Sequence, residues 1–413
     1  MNTNKILPYK SLFVLSIICS LIIPLLLTGP FLPDLLVSLT SIYFLFFSIK
    51  NKQFYIYDNK YFKFFLLFWL TCIISSLLSD SILYSLKSSF FYIRIAIFAL
   101  LIGYLIEKHK KILDYFYFSF LITFTCVIID GIFQYYNGFN LLGQEMWGIG
   151  SRVSSFFGDQ LILGSYLVRL SPLCIGLFFL RKNKFNWEYY FFPLFLVFVS
   201  ILIFMSGGRA SLFYLLLISI FLILFLHKYK FIRIGILVAT LICVSLLLYN
   251  NPKLQERYIK NPIQSMGFNS SKIYIFTPSH DSLIKTSLNM FLDKPLIGHG
   301  PKLFRFKCKD KNYATGIFPC ATHPHNFYIQ LLAETGLIGF FLYLSVFVIF
   351  GYLMIKHITT YLRHKSHFLS DYQICLLAGL LITIWPFTPN GNFFNNYLMI
   401  MYGLQMGFFK NKV

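Results

Sequence analysis

The apolar residues of this chain fall into twelve stretches, each about long enough to cross a bilayer as a helix. About 20 apolar residues span the hydrocarbon core, and polar connections separate the stretches. The sequence therefore predicts an all-α polytopic membrane protein with about 12 transmembrane helices. The stretches cover roughly residues 11–28, 32–49, 62–79, 88–106, 112–134, 160–180, 189–205, 210–226, 231–249, 327–355, 371–387 and 393–409.

Composition excludes the soluble classes of protein. Of the 413 residues, 57% are hydrophobic and 12% are charged, whereas a soluble domain usually carries about 25% charged residues. A water-soluble enzyme, a disordered protein and a disulfide scaffold are therefore excluded. One membrane domain can account for the whole length.

The basic residues predict which way the chain crosses the membrane. If the N-terminus is cytoplasmic, the cytoplasmic segments are rich in Lys and Arg, and the short outer loops hold only Lys87, Arg152 and Arg209. Cytoplasmic loops of membrane proteins carry such an excess of positive charge. Both termini are therefore predicted to be cytoplasmic. Membrane orientation also accounts for most of the net charge of +21, so nucleic-acid binding has no support.

One long loop divides the predicted chain into three parts. Residues 1–249 are predicted to form transmembrane helices 1–9, residues 250–325 an outer loop between helices 9 and 10, and residues 326–413 helices 10–12. The loop is basic, so it should attract anionic lipid or phosphate. Within it, Thr277-Pro278 predicts the start of an amphipathic helix that ends near Asp293.

The loop also contains two cysteines, whereas the other six lie in predicted spans. On an oxidising face, Cys308 and Cys320 can form a disulfide. The alternative is zinc ligation by these cysteines together with His323 or His325. The disulfide is the favoured interpretation, because the chain has no CxxC pair.

The segment Thr322-His323-Pro324-His325-Asn326 ends the loop and leads into the tenth stretch. His325 or Asn326 should lie at a helix N-terminus near the membrane surface, where free N–H groups form an anion site. A neutral histidine there can take a proton from a hydroxyl group. Two histidines around a proline favour this function over the alternative, a solvated loop histidine.

Four arginines are candidates for binding an anionic substrate. In Ser206-Gly207-Gly208-Arg209 the glycines allow close approach of a ligand, and the arginine suits phosphate. The alternative is that this arginine only extends toward lipid headgroups. Arg94 and Arg169 lie inside predicted spans, where an arginine usually faces a polar cavity. Arg152 lies on the outer side, and Asp130 is a possible partner of one of these arginines.

The sequence lacks the motifs of several nucleotide-dependent and hydrolytic classes of enzyme. The chain has no DxD carboxylate pair for a metal-bound nucleotide sugar, no Walker A loop and no GxSxG elbow. An enzyme that works on the outer face cannot rely on cytosolic nucleotides. Its donor should therefore be an activated, membrane-borne molecule such as a lipid pyrophosphate.

Three motifs resemble those of the O-antigen ligase and O-antigen polymerase superfamily of bacterial surface-glycan enzymes. His325-Asn326, followed after nine residues by Gly336 and after two more by Gly339, matches the family's H-[NSQ]-x9-G-x-x-G pattern. Residues 293–301 are similar to its P-x-x-G-x-G-P loop segment, and residues 206–209 resemble its outer-face arginine motif. The resemblance covers roughly residues 150–400.

The resemblance implies a membrane glycosyltransferase that needs neither metal nor cofactor. The donor would be a glycan on undecaprenyl pyrophosphate. The acceptor would be the lipid A–core in a ligase, or the growing glycan in a polymerase. The resemblance also implies a multi-pass protein of the bacterial inner membrane with its active site on the periplasmic face.

The same resemblance assigns roles to individual residues. His325 would be the catalytic base that activates the acceptor hydroxyl, and Arg209 would bind the pyrophosphate. Many members carry a second arginine fifteen residues before the loop proline, but this chain has His280 there. His280 itself, Lys302 or Arg305 would substitute for it. The remaining candidates for pyrophosphate binding are Arg94, Arg152 and Arg169.

Four functions remain open at this point. Ligase activity is preferred on the histidine motif, and polymerase activity is the main alternative. A related protein O-oligosaccharyltransferase would move the glycan to Ser or Thr. A transporter or flippase of lipid-linked glycans would also have many spans and cavity arginines, but it commonly contains internal repeats, and none is evident here.

Overall fold

The computed structural model describes residues 7–147, 152–181, 184–266, 274 and 277–409. These residues form α-helices and no β-strand, which confirms the all-α prediction. The helices are α1 (Tyr9–Ser20), α2 (Ile22–Leu25), α3 (Phe31–Lys50), α4 (Lys60–Leu77), α5 (Ile82–Phe90), α6 (Ile93–Lys108), α7 (Ile112–Asn137), α8 (Leu163–Leu180), α9 (Glu188–Met205), α10 (Arg209–Phe225), α11 (Lys230–Asn250), α12 (Pro252–Gln255), α13 (Asn261–Ser265), α14 (Pro278–Asp293), α15 (Phe304–Lys307), α16 (Phe327–His364), α17 (Asp371–Ile384) and α18 (Asn396–Phe409). Single helical turns cover Leu26–Thr28, Phe54–Ile56, Ser155–Phe157 and Glu256–Lys260.

Nine helical segments of the described chain are long and apolar enough to cross a membrane, so the protein is a multi-pass membrane protein. The other three predicted spans coincide with α10, α17 and α18, which have 17, 14 and 14 residues. The count of twelve therefore stays a prediction, and so does its division into three parts. The termini lie outside the described residues. The nine segments are Tyr9–Thr28, Phe31–Lys50, Lys60–Leu77, Ile82–Lys108, Ile112–Asn137, Leu163–Leu180, Glu188–Met205, Lys230–Asn250 and Phe327–His364.

An irregular segment separates α17 from α18 and explains why both helices are short. The helical backbone ends at Ile384 and resumes at Asn396. Non-helical backbone at membrane depth is tolerated only where protein surrounds it or where it lines a polar cavity. Here Asn390 and Asn392 are buried, and the carboxamide oxygen of Asn392 accepts from Gln330 Nε2 and Phe394 N. The segment is therefore an internal part of the structure.

Helix α16 is interrupted at Gly336, and the loop motif of residues 295–300 packs against the interruption. Gly336 has φ +64°, and a Cβ there would lie 2.3 Å from the carbonyl carbon of Leu296. A Cβ on Gly298 would lie 2.4 Å from the carbonyl carbon of Glu334. The backbone N–H of Leu337 donates to Pro295 O at 2.8 Å. The glycines of both motifs therefore allow two backbone segments to pack together directly.

Helix α14 is the helix that the sequence predicts in the long loop, and it packs against α16. The hydroxyl of Thr277 caps it by accepting from His280 N. Its buried face consists largely of small and polar side chains, whereas Leu288 and Leu292 are exposed. This packing brings the first turn of α14 close to the start of α16. The buried residues are Ser282, Leu283, Thr286, Ser287 and Met290.

A disulfide joins the two cysteines of this region, with the Cα atoms of Cys308 and Cys320 5.0 Å apart. Cys308 is fully buried and packs with Leu283, Met290 and Phe304. The disulfide therefore links the segment that precedes His323 and His325 to the small core that packs against α14.

Candidate functional site

His325 lies just before α16 in a conformation that is unusual for a residue with a side chain. Its φ is +60°, and its carbonyl oxygen accepts from Asn390 N at 2.7 Å. The next residue, Asn326, is the N-cap, and its side-chain oxygen accepts from Tyr328 N and Ile329 N. These N–H groups are therefore already bonded, and the anion site expected at this helix N-terminus is not formed by them.

Three histidine rings meet at this position. The ring centroid of His325 is 4.1 Å from that of His323 and 5.6 Å from that of His280. Burial lowers the pKa of His325, and burial together with the neighbouring His325 lowers the pKa of His323 to about 4. All three rings are therefore neutral near pH 7, since the pKa of His280 is lowered as well. A neutral imidazole can act as a general base.

The protonation of His323 follows from its two hydrogen-bond partners. Its Nε2 lies 3.1 Å from the carbonyl oxygen of Asn390, which can only accept. Nε2 therefore carries the hydrogen, and Nδ1 accepts from the hydroxyl of Thr322 at 2.9 Å. Both nitrogens of His323 are in use, so His325 is the better candidate for the base and His323 has a positioning role.

Asn390 connects these histidines to a charge buried inside the helix bundle. Its side-chain oxygen accepts from Arg169 Nη2 at 3.2 Å and from the hydroxyl of Tyr214 at 2.7 Å. Arg169 is only 3% exposed, and its guanidinium lies over the Tyr214 and Tyr402 rings. Arg169 therefore holds the side chain of Asn390 in place from within the helix bundle. This geometry fits a positioning role better than direct contact with pyrophosphate.

A second group of side chains surrounds the turn between α9 and α10. Arg152 Nε donates to Ser206 O at 2.8 Å, and Arg257 Nε donates to Gly207 O at 2.9 Å. Gly207 has φ +67°, and a Cβ there would lie 2.7 Å from the Arg152 side chain. Arg209 begins α10 and is exposed. Gly207 therefore allows the Arg152 side chain to lie across the turn that leads into Arg209.

These three arginines form a positive cluster without a carboxylate. In the part of the chain that the structure describes, none of Arg152, Arg209 and Arg257 forms an ion pair with Asp or Glu. Burial, followed by repulsion from Arg257 and Arg209, lowers the pKa of Arg152 to about 10. Arg209 also contributes to the lowered pKa of His280. The uncompensated charge therefore adjoins the histidines and suits an anionic ligand.

A second basic region forms a cavity of about 380 Å³. Arg94 Nη2 pairs with Asp34 Oδ1 at 2.5 Å, and Arg305 lies close enough to His323 to contribute to lowering its pKa. The arginine cluster therefore lies on the His280 side of the histidine group, and the cavity lies on the His323 side. The cavity is lined by Asp34, Tyr84, Lys87, Ser88, Phe91, Arg94, Lys302, Arg305 and Asn396.

Asp130, considered as the partner of an intramembrane arginine, has a different role. Its carboxylate accepts from Leu141 N at 2.8 Å and from the hydroxyl of Ser155 at 2.6 Å. It therefore fixes the turn after α7 and pairs with neither Arg94 nor Arg169.

Sequence reasoning did not single out Arg257, Tyr214 and Asn390. Arg257 was one of many basic residues in the long loop, and no motif marks it. Asn390 lies in the irregular segment, which hydropathy places between two spans without a function. The signal that could have marked this segment is its density of Asn, Pro and Gly between apolar stretches, which is unusual at membrane depth.

Residues 194–344 match the family model described as O-antigen ligase. The matched part includes the turn with Arg209, helix α14, the loop motif and the histidine motif through Gly339. The superfamily resemblance stated from the motifs is thereby confirmed, and it indicates a membrane glycosyltransferase-like enzyme. A search of curated proteins found no match to the chain.

Proposed function

We propose that the protein is an O-antigen ligase-like glycosyltransferase of the bacterial inner membrane. It transfers a glycan from undecaprenyl pyrophosphate to lipid A–core on the periplasmic face. The observation that carries the proposal is a neutral His325 beside His280, whose pKa is in turn influenced by Arg209 of a cluster of three arginines without a carboxylate. One group can accept a proton and the other can stabilise a departing pyrophosphate.

In the proposed reaction His325 acts as the general base. It takes the proton of the acceptor hydroxyl while the oxygen attacks the anomeric carbon of the donor glycan. A new glycosidic C–O bond forms as the bond between the sugar and the pyrophosphate breaks. The proton stays on His325, the bonding electrons leave with undecaprenyl pyrophosphate, and the anomeric configuration inverts.

The arginine cluster is proposed to bind the pyrophosphate. Charge develops on the leaving oxygen as the bond breaks, and positive groups fixed beforehand stabilise it. Arg152 and Arg257 are held by carbonyl groups of the Ser206–Gly207 turn, so they need little reorganisation. Arg209 and His280 complete this side, and His280 occupies the position of the family's second arginine.

The cavity that contains Arg94, Lys302 and Arg305 is proposed to bind anionic groups of the acceptor. It adjoins His323 through Arg305, whereas the arginine cluster adjoins His280. A transferase needs both substrates next to its base at the same time, and two separate basic regions meet this need. Arg305→Ala should therefore raise the acceptor KM, and Arg209→Ala the donor KM.

The test is complementation of a deletion strain of the native host with wild-type protein, His325→Ala or His364→Ala. His364 is exposed at the far end of α16, so its variant controls for loss of a histidine. Surface lipopolysaccharide and undecaprenyl-linked glycan are compared on gels. If the proposal holds, His325→Ala leaves polymer on the lipid carrier and none on lipid A–core, and His364→Ala resembles wild type.

Other outcomes point to other functions. A core with a single repeat unit and no polymer indicates a polymerase. Loss of glycan from Ser or Thr of protein indicates an O-oligosaccharyltransferase. Unchanged banding with a stably produced His325→Ala protein removes His325 from catalysis and favours a transporter or flippase.

A further inference from the structure

Three histidines and an aspartate converge far from the candidate site. His227 lies between α10 and α11, His357 lies near the end of α16, and His367 lies between α16 and α17. One nitrogen of each ring lies within 4.8 Å of those of the other two. The carboxylate of Asp371, at the start of α17, lies 2.9 Å from His227 Nδ1. Two chain connections, the last turns of α16 and the start of α17 therefore meet in one group.

The orientation of His227 is that of a metal ligand. The Asp371 carboxylate fixes the hydrogen on Nδ1 of His227, because it can only accept. Nε2 of His227 then carries a lone pair, and it is buried without a hydrogen-bond partner. Metal-binding histidines usually donate their other ring nitrogen to a carboxylate in this way. An orphaned buried lone pair is costly, and a metal ion would satisfy it.

The other two rings complete the arrangement. His357 is 4% exposed, and its Nδ1 accepts from Leu369 N at 3.1 Å, which marks Nδ1 as the unprotonated nitrogen. An ion bound there would replace that hydrogen bond. His367 is exposed, and its ring centroid lies 3.2 Å from that of His227.

We propose that His227, His357 and His367 form a binding site for a divalent transition metal ion, with Zn²⁺ as the best fit and with Asp371 orienting the His227 ring. Three imidazoles with a water molecule as the fourth ligand suit the tetrahedral coordination of zinc, with Zn–N distances of about 2.0–2.1 Å. Nitrogen ligands favour transition metals over Ca²⁺ and Mg²⁺, which prefer oxygen. Metal binding would require the three rings to rotate until their nitrogens, now within 4.8 Å of one another, reach these distances.

The site is structural and lies apart from the proposed reaction. Beyond its interruption at Gly336, helix α16 runs about 30 Å to His357, so the histidine group lies near the opposite end of that helix from His325. An ion bound there would tie the α10–α11 connection to the end of α16 and the start of α17. Helix α17 leads into the segment that contains Asn390. The metal would therefore stabilise the packing of the bundle without contacting substrate.

The test measures Zn²⁺ in the full-length protein purified in detergent with a tag that contains no histidine. Metal content is determined by mass spectrometry, and the metal-stripped protein is titrated with Zn²⁺. Wild type should bind one Zn²⁺ per chain, and the Co²⁺-loaded protein should absorb in the visible range as a tetrahedral complex. His367→Ala should weaken Zn²⁺ binding about 100-fold or more, and Asp371→Asn about 10–100-fold.

His364→Ala is the matched control, because this histidine is exposed near the same helix end and outside the group. It should bind Zn²⁺ like wild type. Because His367 is exposed, removing its ring opens no cavity in the core, so that variant keeps the test valid if His227→Ala fails to fold. Wild type that binds less than a tenth of an equivalent overturns the proposal. Equal binding by wild type and His367→Ala also overturns it.

Discussion

At the residue scale, the candidate base is positioned by hydrogen bonds that meet at one residue, Asn390. Asn390 donates its backbone N–H to His325 O and accepts from His323 through its carbonyl group. Its side chain receives bonds from Arg169 and Tyr214. The network is not fully satisfied, because Arg169 Nη1 is buried without a hydrogen-bond partner. The arginine is therefore proposed to position Asn390 rather than to contact the substrate.

The low pKa of His323 predicts that the protein loses stability in acid. The folded state keeps this ring neutral down to about pH 4, whereas the unfolded chain protonates it near 6.5. The contribution of His323 to the free energy of unfolding is therefore fully present above pH 6.5. It falls by up to about 3 kcal/mol as the pH drops to 4. His323→Gln retains a donor for Asn390 O but does not titrate. Thermal unfolding in detergent at pH 7.5 and pH 5 should show a smaller acid loss for this variant than for wild type, and equal losses would contradict the prediction.

His280 predicts a pH-dependent affinity for the donor. Its pKa is lowered by burial, His325 and Arg209, so the ring is mostly neutral at pH 7.5 and gains charge as the pH falls. Donor binding by wild type should therefore strengthen on acidification. His280→Arg carries a permanent charge and should lower the donor KM severalfold at pH 7.5 while removing its pH dependence. His364→Arg is the control, and the same pH dependence of KM in wild type and His280→Arg would exclude the role.

At the element scale, the two glycine motifs have a packing function that their sequence pattern does not reveal. Gly298 and Gly336 allow the loop of residues 295–300 to lie directly on the interrupted start of α16, where His299 N and Gly300 N donate to Ala333 O and Glu334 O. The motif therefore fixes the helix that follows His325. It acts on the geometry of the site rather than on its chemistry.

Replacing Gly336 by alanine should separate these two backbone segments. The new Cβ would lie 2.3 Å from the Leu296 carbonyl carbon at a φ of +64°, so the backbone itself must shift. At φ +64° and ψ −164° the backbone lies in a region that essentially only glycine adopts, so the strain alone costs about 1–3 kcal/mol, and the lost hydrogen bonds add to it. Gly351→Ala on the same helix meets no atom within 4 Å and should be neutral or slightly stabilising. Thermal unfolding and transfer activity of both variants test this, and equal behaviour would disprove the packing role.

The disulfide between Cys308 and Cys320 is expected to stabilise the region before the histidines. Short cross-linked loops of this kind contribute about 2–4 kcal/mol. Cys308→Ser should therefore lower the unfolding temperature to the same extent as reduction of wild type, and reduction should not affect the variant further. Cys126→Ser, at an exposed free cysteine, is the control. A variant as stable as oxidised wild type would show that the bond contributes nothing.

At the scale of the whole molecule, hydropathy and charge predict the all-α bundle well because the bilayer imposes helix length and composition directly. Each predicted stretch overlaps a helix of the structure. Periodicity could not predict the short α17 and α18, since the break between them depends on long-range bonds to Asn390 and Asn392. The histidine motif marks His325 as a candidate, and that role stays a prediction. The sequence does not mark Asn390 and Arg257, because their positions near the site depend on tertiary contacts.

The direction in which the bundle crosses the membrane can be tested with single cysteines. In a background that keeps only Cys308 and Cys320, Leu142→Cys and Lys311→Cys should react with a membrane-impermeant maleimide on spheroplasts, because both lie on the predicted outer side. Lys365→Cys should react only after permeabilisation. The opposite pattern would contradict the predicted topology and would place His325 on the cytoplasmic side, where a periplasmic acceptor could not reach it. The same labelling decides the compartment of the His227 group, since Lys365 directly follows α16 and lies two residues before His367.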